Sequence, residues 1–177
     1  MIITQYFKTV ILTVFVLLFF TQSKSEVKIA IIDTELIMKE SLAGKSLIKQ
    51  LSKIDNGNKK YFLKYETKLK VEKEKISAQI NILSKEEYDK KVSILNNDFK
   101  KYQEEVKNKV VLTKSKRDLA IKKILSELNI LLSQYSNENK LTFVIDQKNI
   151  VIGRSDLNIT NQILKLMDLK LKKVSLN

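Results

Sequence analysis

The sequence predicts an α+β fold, a small β-sheet body of three strands per chain carrying one long antiparallel helical-hairpin arm. Three observations predict it. Short β-branched runs, Val27–Ile32 and Leu141–Ile145, stand on either side of a long proline-free stretch. That stretch repeats its apolar residues with a helical period, and a helix-start signal, Ser84-Lys85-Glu86-Glu87, lies in its middle.

The N-terminus stands apart from the fold. Lys8 supplies a positive charge, Val10–Phe20 is apolar except for Thr13, and Ser23-Lys24-Ser25 offers small residues at a cleavage site. Residues 1–25 are therefore expected to be a secretory signal peptide, with the mature chain starting at Glu26 and exported to the periplasm. A membrane anchor would need about 20 apolar residues, and Lys8 interrupts this run.

The body is expected from residues 26–40 and 141–177. Val27-Lys28-Ile29-Ala30-Ile31-Ile32 reads as a buried strand, and Asp33 and Thr34 are cap types for a short helix carrying Leu36, Ile37 and Met38. Leu141-Thr142-Phe143-Val144-Ile145 is the second strand, Asp146–Asn149 a turn, and Ile150-Val151-Ile152 the third strand of a hairpin. Asn158 can cap a last helix that carries Ile159, Ile163, Leu164, Leu166 and Met167 on a broad apolar face. The first and last segments must meet to make a sheet.

Residues 41–140 form the arm. Leu47, Ile48, Leu51 and Ile54 share one face, and Asp55-Asn56-Gly57-Asn58 then predicts a weak point or kink. Beyond it Phe62, Leu69, Ile76 and Leu83 repeat every seven residues, with Tyr65 and Ile80 beside them. A second series follows, Val92, Phe99, Val106, Thr113 and Ala120, flanked by Tyr88, Leu95 and Tyr102. A seven-residue repeat keeps one narrow seam turned toward a partner helix, so these are coiled-coil stripes. Between the two series, Ser84 and Glu87 have the spacing of a capping box. A helix that starts inside a helical region requires another to end just before it. The pair folds back as a hairpin with its tip near residues 83–85, and the returning helix runs through Ile124, Leu128 and Leu131 to about Asn137. From Ser41 to the tip the arm should extend roughly 60 Å.

A body of 52 residues is marginal by itself. It has no cysteine for a disulfide, and a three-stranded sheet has two open edges. Oligomerisation through the body is expected, with Ile29, Ile31, Phe143 and Ile145 as the candidate residues.

Catalytic chemistry has little to work with. The chain contains no His and no Cys, which removes the commonest base, thiol nucleophile and zinc ligands. Three glycines in all leave no phosphate loop. Asp33 and Asp146 each follow a strand and resemble a carboxylate pair, but cap and turn roles account for both. No enzyme activity, catalytic residue, metal or cofactor is expected.

Charge points to partners instead. The net charge is +13, and residues 59–123 hold 19 Lys and Arg against 10 Asp and Glu. Nucleic acid is not an expected partner, because the chain reads as exported and its acidic residues are interleaved through the arm. Acidic membrane surfaces and unfolded protein clients suit such an arm. Six apolar arm residues lie off the seam: Tyr61, Leu63, Val71, Ile94, Val111 and Leu112. Pairing of the arm helices cannot bury them, so they are the candidate client contacts.

Three stretches carry a family resemblance. They are Lys28-Ile29-Ala30-Ile31-Ile32-Asp33 leading to Glu40-Ser41-Leu42-Ala43-Gly44-Lys45, then Leu83-Ser84-Lys85-Glu86-Glu87-Tyr88, then Leu141 to Asp146 with Asn158-Ile159-Thr160-Asn161-Gln162-Ile163-Leu164. In their order and spacing they resemble the OmpH family; Leu42 stands where members often have proline. The resemblance implies a homotrimer whose sheets join into a body, with three arms enclosing a cavity. It also implies ATP-independent holding of unfolded outer-membrane proteins on their way to the outer membrane. The alternative reading is a structural coiled-coil envelope protein that binds one fixed partner.

Overall fold

The computed structural model describes residues 27–176. The expected signal peptide, and Glu26 after it, lie outside these residues. In chain order the elements are strand β1 (Ile29–Ile32), helices α1 (Thr34–Glu40), α2 (Leu42–Ala78) and α3 (Lys85–Asn139), strand β2 (Phe143–Asp146) and helix α4 (Thr160–Lys170). Single 3-10 turns at Gln147–Asn149 and Ser155–Leu157 lie between β2 and α4.

The two ends of the chain meet as the sequence requires. β1 and β2 pair in parallel, with Ile29 opposite Phe143 and Ile32 opposite Asp146. Lys28 and Thr142 extend the pairing, the Thr142 amide donating to the Lys28 carbonyl at 2.7 Å. Under the sheet Ala30 and Ile32 join Ile37, Ala43, Leu47, Ile124, Leu128, Leu131, Ile163 and Met167 in one core. After α4 the chain folds back onto α2. Val174 and Leu176 are buried there, and the Gln50 side-chain amide donates to the Val174 carbonyl at 2.6 Å.

The body has two strands, not the three expected. Ile150–Ile152 does not return along β2; Val151 and Ile152 project into solvent, the latter 91% exposed. The local cause is Asp146, whose carboxylate accepts the Lys148 amide at 3.1 Å and starts a 3-10 turn where a hairpin turn was expected. Further along, the chain reaches β1 instead. Asn158 bridges Ile31, and the Ile159 amide donates to the Ile31 carbonyl at 2.9 Å. Asn158 accepts the Thr160 amide at 2.9 Å in a turn just before α4, whose N-cap is Ile159 and not Asn158 as expected. The buried Thr160 hydroxyl in turn accepts the Asp33 amide at 2.8 Å.

The arm is the expected hairpin. Ser84 accepts the Glu87 amide, and the Glu87 carboxylate accepts the Ser84 amide, so both halves of the capping box are made. α2 ends at Ala78, before Leu83, and residues 79–84 make the tip. α3 has 55 residues against 37 in α2, and its surplus at the base supplies Ile124, Leu128 and Leu131 to the core.

No break occurs at Gly57. α2 runs unbroken from Leu42 to Ala78. Glycine costs a helix interior about 1 kcal/mol relative to alanine, too little to stop a long helix whose flanks are packed. An added Cβ at Gly57 would meet nothing within 4 Å. Gly57→Ala is therefore expected to stabilise the protein by about 0.5–1 kcal/mol, read as a higher urea midpoint with unchanged slope.

Candidate functional site

The arm's seam explains its surface. On α2 the seam rows are Leu51, Phe62, Leu69, Ile76 and, between them, Asn58 and Tyr65, all buried or half-buried. The second row should continue from Tyr65 to an apolar residue seven places on, but Glu72 stands there and is exposed. Tight packing is therefore confined to the base around Ala120, the middle around Tyr65, and the tip at Ile76.

In the middle, aromatic rings and two reciprocal hydrogen bonds clamp the helices together. Tyr102 packs on Tyr65, with ring centroids 5.1 Å apart, and edge-on to Phe62 at 6.2 Å. The Tyr102 hydroxyl donates to Glu66 across the hairpin, and the Tyr61 hydroxyl donates to Glu105 in the opposite sense. Lys109 lies over the Tyr61 ring, 4.8 Å from its centroid. The bond to Glu66 pushes the Tyr102 phenol up to about 12 from 10.0, with burial and the carboxylate's charge acting the same way. The folded arm thus holds this proton more tightly than the unfolded chain does. The stabilisation is complete below pH 10.0 and is lost as pH rises through about 12. The Tyr61 phenol is raised as well, by its bond to Glu105, so phenolate absorbance should show these two tyrosines ionising late, together with a loss of helicity, and Tyr102→Phe should remove one of the two.

Above the clamp the helices part around a groove of about 580 Å³. Below it, at Asn58 and Thr113, a second gap of about 380 Å³ opens. Phe99, expected to sit in the seam and maintain the arm, is 48% exposed on the rim of the upper groove. Its heptad position is right, but α2 does not cover it.

All six off-seam candidates are exposed: Tyr61, Leu63, Val71, Ile94, Val111 and Leu112. They do not converge on one pocket. Ile94 and Leu112 are five helical turns apart and share one face of α3. Val111 lines a shallow depression with Leu119, a 63% exposed residue that the heptad reading passed over. Tyr61 also belongs to the clamp. Of the body candidates, Phe143 is exposed and Ile29 is 38% exposed, Ile145 is half-buried, and Ile31 is buried within the chain.

The arm's charge is not consumed internally. Its ion pairs, Lys70–Glu74, Lys75–Glu72, Lys101–Asp98 and Arg117–Asp118, each lie within one helix. None joins α2 to α3 among the described residues. Such exposed pairs are worth only about 0.3–0.5 kcal/mol each and leave the arm basic.

The carboxylates at the strand ends have local duties. Asp33 accepts the Leu36 amide at 2.8 Å and caps α1. The Thr34 hydroxyl beside Asp146 holds that carboxyl below its ordinary range, with the Lys148 amide and charge assisting against partial burial. Among the described residues, no group of three or more His, Cys, Asp or Glu is placed to hold a metal ion. No described helix is long and apolar enough to cross a membrane.

A two-stranded parallel body from which one long basic hairpin projects defines the class, a helical-arm protein with its exposed apolar side chains distributed along the arm. Residues 28–167 match the family described as outer membrane protein (OmpH-like), and the chain belongs to the OmpH family. Its fold is similar to the crystal structure of an OmpH-like protein from Caulobacter crescentus CB15, provisionally assigned as an outer membrane chaperone. The TM-score is 0.78 at 16% identity, covering 88% of this chain and 92% of the other. No curated protein is matched by the sequence.

Proposed function

We propose that this chain is an ATP-independent periplasmic holdase that binds unfolded outer-membrane proteins and prevents their aggregation in transit, with no catalytic step. The observation that carries the reading is the arm's surface, where exposed apolar side chains on both helices stand among lysines that no carboxylate of the facing helix neutralises. Membership of the OmpH family and the likeness to a provisionally assigned outer membrane chaperone support it. Weak contacts spread along an arm hold an extended chain through effective concentration, and the positive field speeds capture of acidic chains.

The functional unit in this reading is a homotrimer. A two-stranded sheet with Val27, Ile29, Phe143, Val151 and Ile152 exposed around it has apolar surface and backbone edges for neighbouring copies. The test dilutes a urea-unfolded β-barrel protein into buffer without nucleotide and follows light scattering. Addition of this protein should suppress aggregation at about one oligomer per client, and unchanged scattering would reject the holdase. Sedimentation reads the oligomer in the same samples.

A further inference from the structure

The groove above the tyrosine clamp has two unlike walls. The α3 wall is mainly apolar, built by Tyr88, Val92, Leu95, Phe99 and Tyr102, which recur on one face of the helix, with Asn96 the one amide among them. On α2 the wall is polar: Glu66, Lys70, Lys73 and Ser77 follow the same helical spacing. Leu69 and the buried Ile76 make the floor between them. Glu66 already accepts the Tyr102 hydroxyl. Lys70 reaches Glu74 at only 4.0 Å with both side chains mostly exposed, and Lys73 has no carboxylate within that distance among the described residues. The polar wall therefore presents two cationic ends opposite a row of apolar and aromatic side chains.

We infer that this groove is a docking site for one extended segment of client chain in which apolar and acidic residues alternate. The inference rests on the holdase reading and names the chemistry that reading leaves open. An extended strand sends successive side chains to opposite sides, so alternation delivers apolar groups to α3 and carboxylates to Lys70 and Lys73. Transmembrane barrel strands alternate in this way, apolar outward and polar inward, and their unfolded chains carry the pattern. Residues 66–77 span roughly 16 Å of helix, matching about five residues of extended chain. A client helix does not fit as well, since its apolar stripe would leave the lysines unmatched.

The test uses the full mature protein and labelled peptides of about five residues with blocked ends, followed by fluorescence anisotropy. One peptide has phenylalanine or valine at odd positions and aspartate or glutamate at even ones. A second places lysine at the even positions, and a third keeps the acidic composition but separates apolar from acidic residues. The alternating acidic peptide should bind at least about tenfold more tightly than the other two. The double variant Lys70→Glu, Lys73→Glu should reverse the charge preference. Phe99→Ala should weaken all binding with arm helicity retained, since half of that ring is already in solvent.

Equal binding of the three peptides, or a preference that survives the charge reversal, overturns the groove assignment. If full-length unfolded clients are still held in that case, the holdase reading stands without it. If the wild-type protein holds no unfolded client yet discriminates the peptides as described, the groove stands and the holdase reading falls.

Discussion

Alanine at Gly44 is expected to destabilise the folded protein by roughly 3 kcal/mol, the largest effect of any single methyl in this chain. The reason is steric. A Cβ there would lie 1.8 Å from the Met38 carbonyl oxygen and 2.8 Å from its carbon, both backbone atoms. Neither side of the corner can give. The last turn of α1 is closed by the Ser41 amide donating to Ile37 at 3.0 Å, and the Ser41 hydroxyl accepts the Gly44 amide at 3.1 Å. Asp168 of α4 accepts the Leu42 amide at 2.7 Å and ties the start of the arm to the body. Opening the corner to admit a methyl would break these bonds or lift α2 from the core at Ala43 and Leu47. Urea unfolding measures the cost, and a loss under about 0.5 kcal/mol would mean that the corner opens freely.

The second large effect is on client holding. Changing Leu63, Ile94, Val111 and Leu112 together to serine is expected to weaken capture of an unfolded client about a hundredfold, with arm helicity and oligomer size retained. Each of the four is more than half exposed. If each contributes about 0.7 kcal/mol through partial burial against a client, the sum approaches 3 kcal/mol, and 1.4 kcal/mol is tenfold in affinity. Tyr61 is left out because its hydroxyl donates to Glu105 and its ring underlies Lys109, so serine there would also loosen the hairpin. Light scattering and equilibrium binding give the readout, with circular dichroism as the control on folding. Unchanged holding by a folded quadruple variant would mean that clients are retained by charge and confinement alone.

Several features were legible because their causes are local. The heptads of Phe62, Leu69 and Ile76 and of Val92, Val106 and Ala120 set the seam, since helical period alone decides which residues share a face. Ser84 and Glu87 placed the tip because a capping box needs only residues three apart. Asp33 capped α1 for the same reason, and the β-branched runs before it and after Leu141 became the paired strands. Residue counts alone placed the excess charge on the arm.

Tertiary structure decided the rest, wherever the outcome depends on what else occupies a space. Ile150-Val151-Ile152 has the composition of a strand, yet it pairs with neither β1 nor β2 and is left in solvent. Gly57 has a poor local propensity, but the packed turns on either side carry the helix through it. Phe99 holds a seam position on its own helix, and whether it is covered depends on how α2 packs against it. One helix's periodicity defines a wall, but only the pairing of two helices shows that the walls differ and that the space between them is open.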